Sequence, residues 1–254
     1  GFESYNFLEN RYGEMADGEI AMDRILIPDI VNLHDQHKAE SDQPYFSFSV
    51  TYQGHGPYNT EENDYGVDYV KPGVYSQESE NILNNYFGSI ADTNENLKTM
   101  FDHYRASDDP VVIVLFGDHK PWLGDNSSVY EELGIDLNYA DSEEGFYNYY
   151  GTRYLIWAND AAKQALGNDF IGEGRDLGPY FLMNELFTLC GWDGPAYMQA
   201  TRACAEAVPV LSVSGLYLQD GVVTDTLTKE NQAIVDEYRC LEYYERKNFH
   251  ESTE

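Results

Sequence analysis

Val111 to Gly124, VVIVLFGDHKPWLG, sets six apolar residues directly before Gly117, Asp118, His119 and Pro121. An apolar run without polar alternation suits a strand buried on both faces, as in a parallel sheet flanked by helices. Gly117 and Pro121 would end it. In open α/β sheets ligands gather beyond the carboxyl ends of the strands, so a carboxylate and an imidazole placed there, Asp118 and His119, are candidate metal ligands. The plainer reading of the same residues is a solvated loop that happens to begin with Asp-His.

A second stretch repeats this layout. Tyr45 to Tyr52, YFSFSVTY, alternates large apolar residues with Ser and Thr, which is a strand pattern, and then turns through Gln53-Gly54-His55-Gly56-Pro57-Tyr58. Glycine on both sides of His55 removes bulk and lets a ligand approach the ring closely. The alternative is an exposed turn histidine. Two strand-then-histidine loops at one sheet edge would face a common cleft.

The intervening elements fit an α/β arrangement. Residues 59–79 are rich in Asn, Asp, Glu, Gly and Pro and read as a long surface loop. From Ser79 to Arg105 the apolar positions recur at helical spacing. Such a helix would carry the chain, right-handed, from the first strand to a parallel second one. Nearer the start, residues 1–15 read as irregular or short-stranded. Asp17 is placed to cap a helix reaching His37, with Pro28 a possible kink. His34 and His37 stand three apart on that helix, a spacing open to a metal, but Asp35, Gln36 and Lys38 mark an exposed helix end.

Beyond the Asp-His loop the reading is a short helix at 128–133, an acidic, tyrosine-rich loop at 136–150 and a strand at 152–158. A helix at 178–190 follows. Arg153 is expected to pair with acidic neighbours rather than with phosphate. Residues 215–224 form a hairpin pattern with Asp220-Gly221 at the turn, and a polar amphipathic helix follows from Thr228 to Arg246.

Composition narrows function. With 15 Lys and Arg against 45 Asp and Glu, the net charge of −30 disfavours non-specific attraction to nucleic acid or to an anionic membrane surface. Phosphate chemistry in this field needs local positive charge, most simply a divalent cation. Cys190, Cys204 and Cys240 show no C-x-x-C spacing, so neither a structural zinc site nor a disulfide framework is indicated. No apolar run approaches a membrane span. The chain opens on Gly1-Phe2-Glu3 without Met, and the expectation is a part of a longer protein.

Taken in order, FSVTYQGHGPY, VVIVLFGDHKPWLG, RYLIWAN and GPYFLMNELFTLCGW resemble the lipoteichoic acid synthase and phosphoglycerol transferase branch of the sulfatase, alkaline phosphatase-like superfamily. The resemblance implies an α/β fold with a mainly parallel sheet flanked by helices. It also implies residues 1–209 as the C-terminal part of the catalytic domain and residues 210–254 as a small C-terminal hairpin and helix. Asp118 and His119 match metal ligands of that family, the metal being manganese first, with zinc, calcium or magnesium as alternatives. His55 matches a histidine that contacts the substrate phosphate or serves as acid or base.

The implied activity is transfer of phosphoglycerol from a phospholipid through a threonine nucleophile. Neither that threonine nor the family's Trp-x-Arg can be located in this chain, and both are expected upstream of Gly1. By the same resemblance the domain lies outside a bacterial cell, held to the membrane by an upstream segment, and takes a phospholipid or polyol-phosphate substrate. The residues alone leave a sulfatase or phosphodiesterase hydrolase of the same superfamily open, as well as a chain that is non-catalytic in isolation.

Overall fold

In the computed structural model residues 2–248 are described, and they part into two compact units. One unit comprises Phe2–Ser107 and His119–Thr152; the other comprises Asp108–Asp118 and residues 153–248.

The first unit is helical. A π-helical turn, Leu8–Tyr12, leads into α1 (Gly13–Met15), and α2 (Asp23–Glu40) packs along the long α3 (Gln77–Arg105). The expected cap at Asp17 is corrected. Asp17 and Gly18 take left-handed conformations, with φ of 53° and 83°, and the helix begins only at Asp23. Arg11 forks onto Asp29, its Nε and Nη2 donating at 2.6 and 2.5 Å, which compensates a carboxylate that the fold buries.

α3 begins two residues before its expected start. Ser76 caps it, its Oγ accepting from the Ser79 N–H at 3.3 Å. Its first turns carry buried Glu80, Asn81, Asn84 and Asn85, and these side chains fasten the long loop before the helix. Asn85 donates to the carbonyls of Asn59 and Glu62 and accepts from the Asp64 N–H. Asn84 accepts from Tyr69 and Val70, and Glu80 from Val74 and Tyr75. The polar stretch therefore forms a fixed loop, because buried amides satisfy backbone groups that water would otherwise hold.

Ile82 and Leu83 of α3 form an apolar core with Leu123 and with Val129 and Tyr130 of α4 (Ser128–Glu132). Residues 136–150, expected as a loop, instead close with α5 (Glu143–Tyr150). Ser142 caps that helix by accepting from the Gly145 N–H at 2.8 Å, and Glu143 and Glu144 complement its N-terminus.

In the second unit β1 (Val112–Phe116) pairs with β2 (Tyr154–Ala158), Val112 opposite Ala158 and Phe116 opposite Tyr154. The pairing is antiparallel, which corrects the expected parallel ladder. Among the described residues the YFSFSVTY stretch joins no strand at all, so the helix α3 has no first strand from which to cross. The mixed α/β class stands. With two strands in this sheet among the described residues, each keeps an edge that no described strand pairs, and Leu115 and Phe116 are exposed where burial on both faces was expected. Arg153, expected in an ion pair, is exposed and has none among the described residues.

Asn159 caps α6 (Asp160–Leu166), which closes on Gly167 in the left-handed region. A 3₁₀ turn at Pro179–Phe181 leads into α7 (Leu182–Leu189), followed by α8 (Ala196–Ala207). The expected hairpin is present. β3 (Val210–Leu211), β4 (Tyr217–Gln219) and β5 (Val222–Thr224) form an antiparallel meander, with Asp220 and Gly221 both at positive φ in the β4–β5 turn. α9 (Lys229–Asn248) packs on α8 around Phe181, Cys204, Val208, Val235 and Tyr238. The end of the expected 210–254 segment, residues 249–254, lies outside the described residues.

Candidate functional site

His55 is held in a turn whose every neighbour has a physical task. Its N–H donates to the Tyr52 carbonyl at 3.0 Å, and the Tyr58 hydroxyl donates to the Gly54 carbonyl. Gly54 has φ of 87°, which favours glycine, and a Cβ on Gly56 would stand 2.9 Å from Trp122 Cβ. The two glycines around the histidine are thus required by the backbone path and by packing against Trp122.

Gln53 ties the turn to both long helices. Its Oε1 accepts from the Asp23 N–H at 3.0 Å, and its Nε2 donates to the Ser89 carbonyl at 3.1 Å and to Asp92 Oδ2 at 2.6 Å. Burial of Asp23 pushes its carboxyl above the ordinary 3.8, a rise that Thr93 moderates by donating to Oδ2 and Asp92 reinforces by its charge.

His119 lies within the same unit, its ring centroid 5.9 Å from that of His55 at an interplanar angle of 85°. Tyr52 stacks on the His55 ring at 5.2 Å. His55 Nδ1 lies 2.5 Å from the Gly56 carbonyl and His119 Nδ1 2.7 Å from the Lys120 carbonyl. A carbonyl only accepts, so each Nδ1 must donate, and the lone pair of each neutral ring falls on Nε2. Two imidazoles of one tautomer therefore stand together.

Asp118 is exposed in the second unit, after β1 and Gly117, whose N–H continues the β1–β2 pairing by donating to the Arg153 carbonyl at 3.1 Å. His34 and His37 serve as helix-end residues. His34 contacts Asp35 and the rings of Tyr45 and Tyr104, and His37 Nε2 faces the Gln43 carbonyl at 2.9 Å. Among the described residues neither joins a metal-binding group.

The sulfatase family profile matches residues 4–190. The chain belongs to the sulfatase family. A protein of Rhizobium meliloti (strain 1021), named provisionally for cyclic beta-1,2-glucan modification, is 28% identical over 251 residues, covering 96% of this chain. The chain spans 37% of that relative's length. No solved structure matches the chain significantly.

Members of the sulfatase family are typically enzymes, and their domains generally bind a divalent metal. The donor set here falls short of one. Asp118 and His119 offer one carboxylate and one imidazole, and among the described residues no three His, Cys, Asp or Glu side chains gather to hold an ion. Zinc takes about four ligands and the harder cations about six, so these two residues alone do not fit a resident metal.

The sequence pattern singled out His55 and His119 but missed their supports. Tyr52, Gln53 and Trp122 fix ring, turn and approach, and the local signal for them was the pair of glycines, Gly54 at positive φ and Gly56 against Trp122.

Proposed function

We propose that the whole protein transfers a phospho head group, phosphoglycerol in the first instance, from a lipid donor to a hydroxyl of a glucan in the cell envelope. The observation that carries this reading is the pair of same-tautomer imidazoles, His55 and His119, within the stretch that the sulfatase family matches. Sulfatase-family membership supports phosphotransfer or hydrolysis. The name of the Rhizobium meliloti relative supports a glucan acceptor, and the order of the GHGPY and GDH motifs supports the phosphoglycerol branch.

The chemistry assigned to this chain is proton handling. In each half of the transfer His55 Nε2 takes the proton of the attacking hydroxyl, first the protein's own nucleophile on the lipid phosphate and then the sugar's on the phospho-enzyme. It gives that proton to the oxygen that leaves, the lipid alkoxide in the first half and the protein's nucleophile in the second. The imidazolium formed between these events is held near the phosphate oxygens, where its charge is useful in a protein of −30. The nucleophilic hydroxyl is assigned to a part of the protein other than these residues. Any resident cation would draw on ligands beyond Asp118 and His119. The donor lipid places this domain at the outer face of a membrane, and no helix among the described residues is long and apolar enough to cross one.

The test uses the complete protein with a fluorescent phosphatidylglycerol analogue and cyclic beta-1,2-glucan, reading glucan mass and released lipid. His55→Ala is expected to lower turnover by about 10²-fold, the scale for losing a positioned acid or base. Unchanged kinetics would overturn the assignment. Release of free head group with no modified glucan would favour the second reading, a hydrolase of the same family.

A further inference from the structure

The second unit carries a groove that phosphotransfer does not use. Two clefts, of about 570 and 450 Å³, lie along α9, the first against the end of the β4–β5 hairpin and the second against α8. Their α9 residues, from Lys229 through Gln232, Asp236 and Arg239 to Tyr243 and Arg246, recur every three or four positions. That spacing is one helix face, about 26 Å long at 1.5 Å per residue. Arg239 joins the two clefts, its Nη2 donating at 3.2 Å to the hydroxyl of Tyr217, which lines the first.

The lining has a distinct chemistry. Lys229, Arg239 and Arg246 stand against Asp225, Asp236, Glu242 and Glu245, so the groove is nearly neutral in a chain of −30. Near neutrality gives no advantage to a polyanion or a polycation. What remains is a row of hydrogen-bonding groups, donors (Lys229, Arg239, Arg246) interspersed with acceptors (Asp236, Glu242, Glu245), with Tyr197, Tyr217 and Tyr243 as aromatic residues among them. Tyrosine supplies amphipathic contact area at low entropy cost. Tyr243 is 59% exposed, with Lys247 Nζ 5.7 Å from its ring centroid, and Glu242 is fixed by the Tyr238 hydroxyl at 2.8 Å. An extended ligand with hydroxyls along its edges and apolar C–H faces matches this row in length, charge and chemistry.

We infer that this face of α9 is a binding groove for a neutral oligosaccharide, a site additional to the histidine pair. The choice of a glucan as that oligosaccharide rests on the reading above; the groove chemistry does not. It would retain the acceptor polymer over several sugar units.

The test is calorimetric and NMR titration of the 254-residue chain with cyclic beta-1,2-glucan and with a linear neutral glucan, without lipid and without any assay of turnover. Binding is expected, weakened at least tenfold by Tyr243→Ala and by Arg239→Gln, both exposed positions, and unchanged by His55→Ala. Chemical shifts should move on α9. Absence of binding by either glucan to the folded chain at millimolar concentration overturns the groove, as does binding that both groove variants leave intact. Binding lost in His55→Ala overturns it too, and would place the glucan at the histidines, so the transferase reading would survive. An inactive complete enzyme whose groove still binds glucan would sink that reading and leave the groove standing.

Discussion

β1 and the 45–52 segment both run apolar residues into a glycine and histidine turn, yet they are held in opposite ways. β1 is paired along its length to β2, and its start is fastened by Asn159, which is 1% exposed. Asn159 Oδ1 accepts from the N–H groups of Val111 and Ala162, and its Nδ2 donates to the Asp109 carbonyl. The 45–52 segment has no ladder, and Phe46, Phe48 and Val50 are 65%, 60% and 74% exposed. It is fixed by side chains, Tyr45 against the rings of His34 and His37, Phe46 stacked on the ring of Phe2 at 5.6 Å, and Gln53 between the two long helices. Position in one case comes from a backbone ladder and in the other from a few side chains. The histidine turn that follows the second segment therefore depends on Gln53 rather than on a sheet.

The largest expected effect is at Asn159. Asn159→Ala leaves the part-buried N–H of Val111 and the buried N–H of Ala162 without their acceptor and uncaps α6, and should cost about 2–4 kcal/mol of stability. Urea unfolding would measure it. A loss under about 0.5 kcal/mol would show that the β1–β2 ladder alone holds the strand.

Gln53→Ala should cost less, about 1–2 kcal/mol, while removing three hydrogen bonds that hold the His55 turn. Its diagnostic readout is local. The His55 and His119 ring resonances should lose their mutual contact, and if they keep it, the turn is held by Trp122 packing instead.

Asp23 tests the same anchor through pH. The folded chain binds its proton more tightly than the unfolded chain, so this group favours folding fully below the ordinary 3.8 and gives up stability as pH rises through the higher folded value. Its Oδ1 has no hydrogen-bond partner among the described residues, which adds to the cost of the charge. Asp23→Asn should flatten the stability profile over that window and raise stability at neutral pH. An unchanged slope would show the carboxyl to be ordinary.

The smallest effect belongs to the exposed run. Phe46→Ser and Val50→Thr should shift stability by no more than about 0.5 kcal/mol, as for exposed positions generally. Amide exchange should be fast across 45–52 and slow in β1. Protection of both to the same degree would mean that the two regions do not differ.

Much of this was legible without coordinates because it is local. Helix α3, the short α4, β2, the β4–β5 hairpin and α9 follow from apolar period and from the Asp220-Gly221 turn, features that depend on neighbours a few residues away. α5 was legible too, from Ser142 and the two glutamates after it, but the tyrosines around it drew the reading toward a loop. α6 and α8 carried too little apolar period to stand out, their one signal being Asn159 and Pro195 before the first turn.

The sequence by itself determined where the chemistry-bearing residues stand: Asp118 and His119 after an apolar strand, and His55 between two glycines. It determined this because strand ends and glycine turns are written in consecutive residues. Only the tertiary structure decided the partner of β1 and the direction of pairing, since an apolar run is equally satisfied by a parallel or an antiparallel neighbour. It alone brought His55 to His119, through Gln53 reaching helices that begin 30 residues before and 24 residues after it, contacts whose cost and reward lie in chain closure and buried hydrogen bonds that no local pattern records.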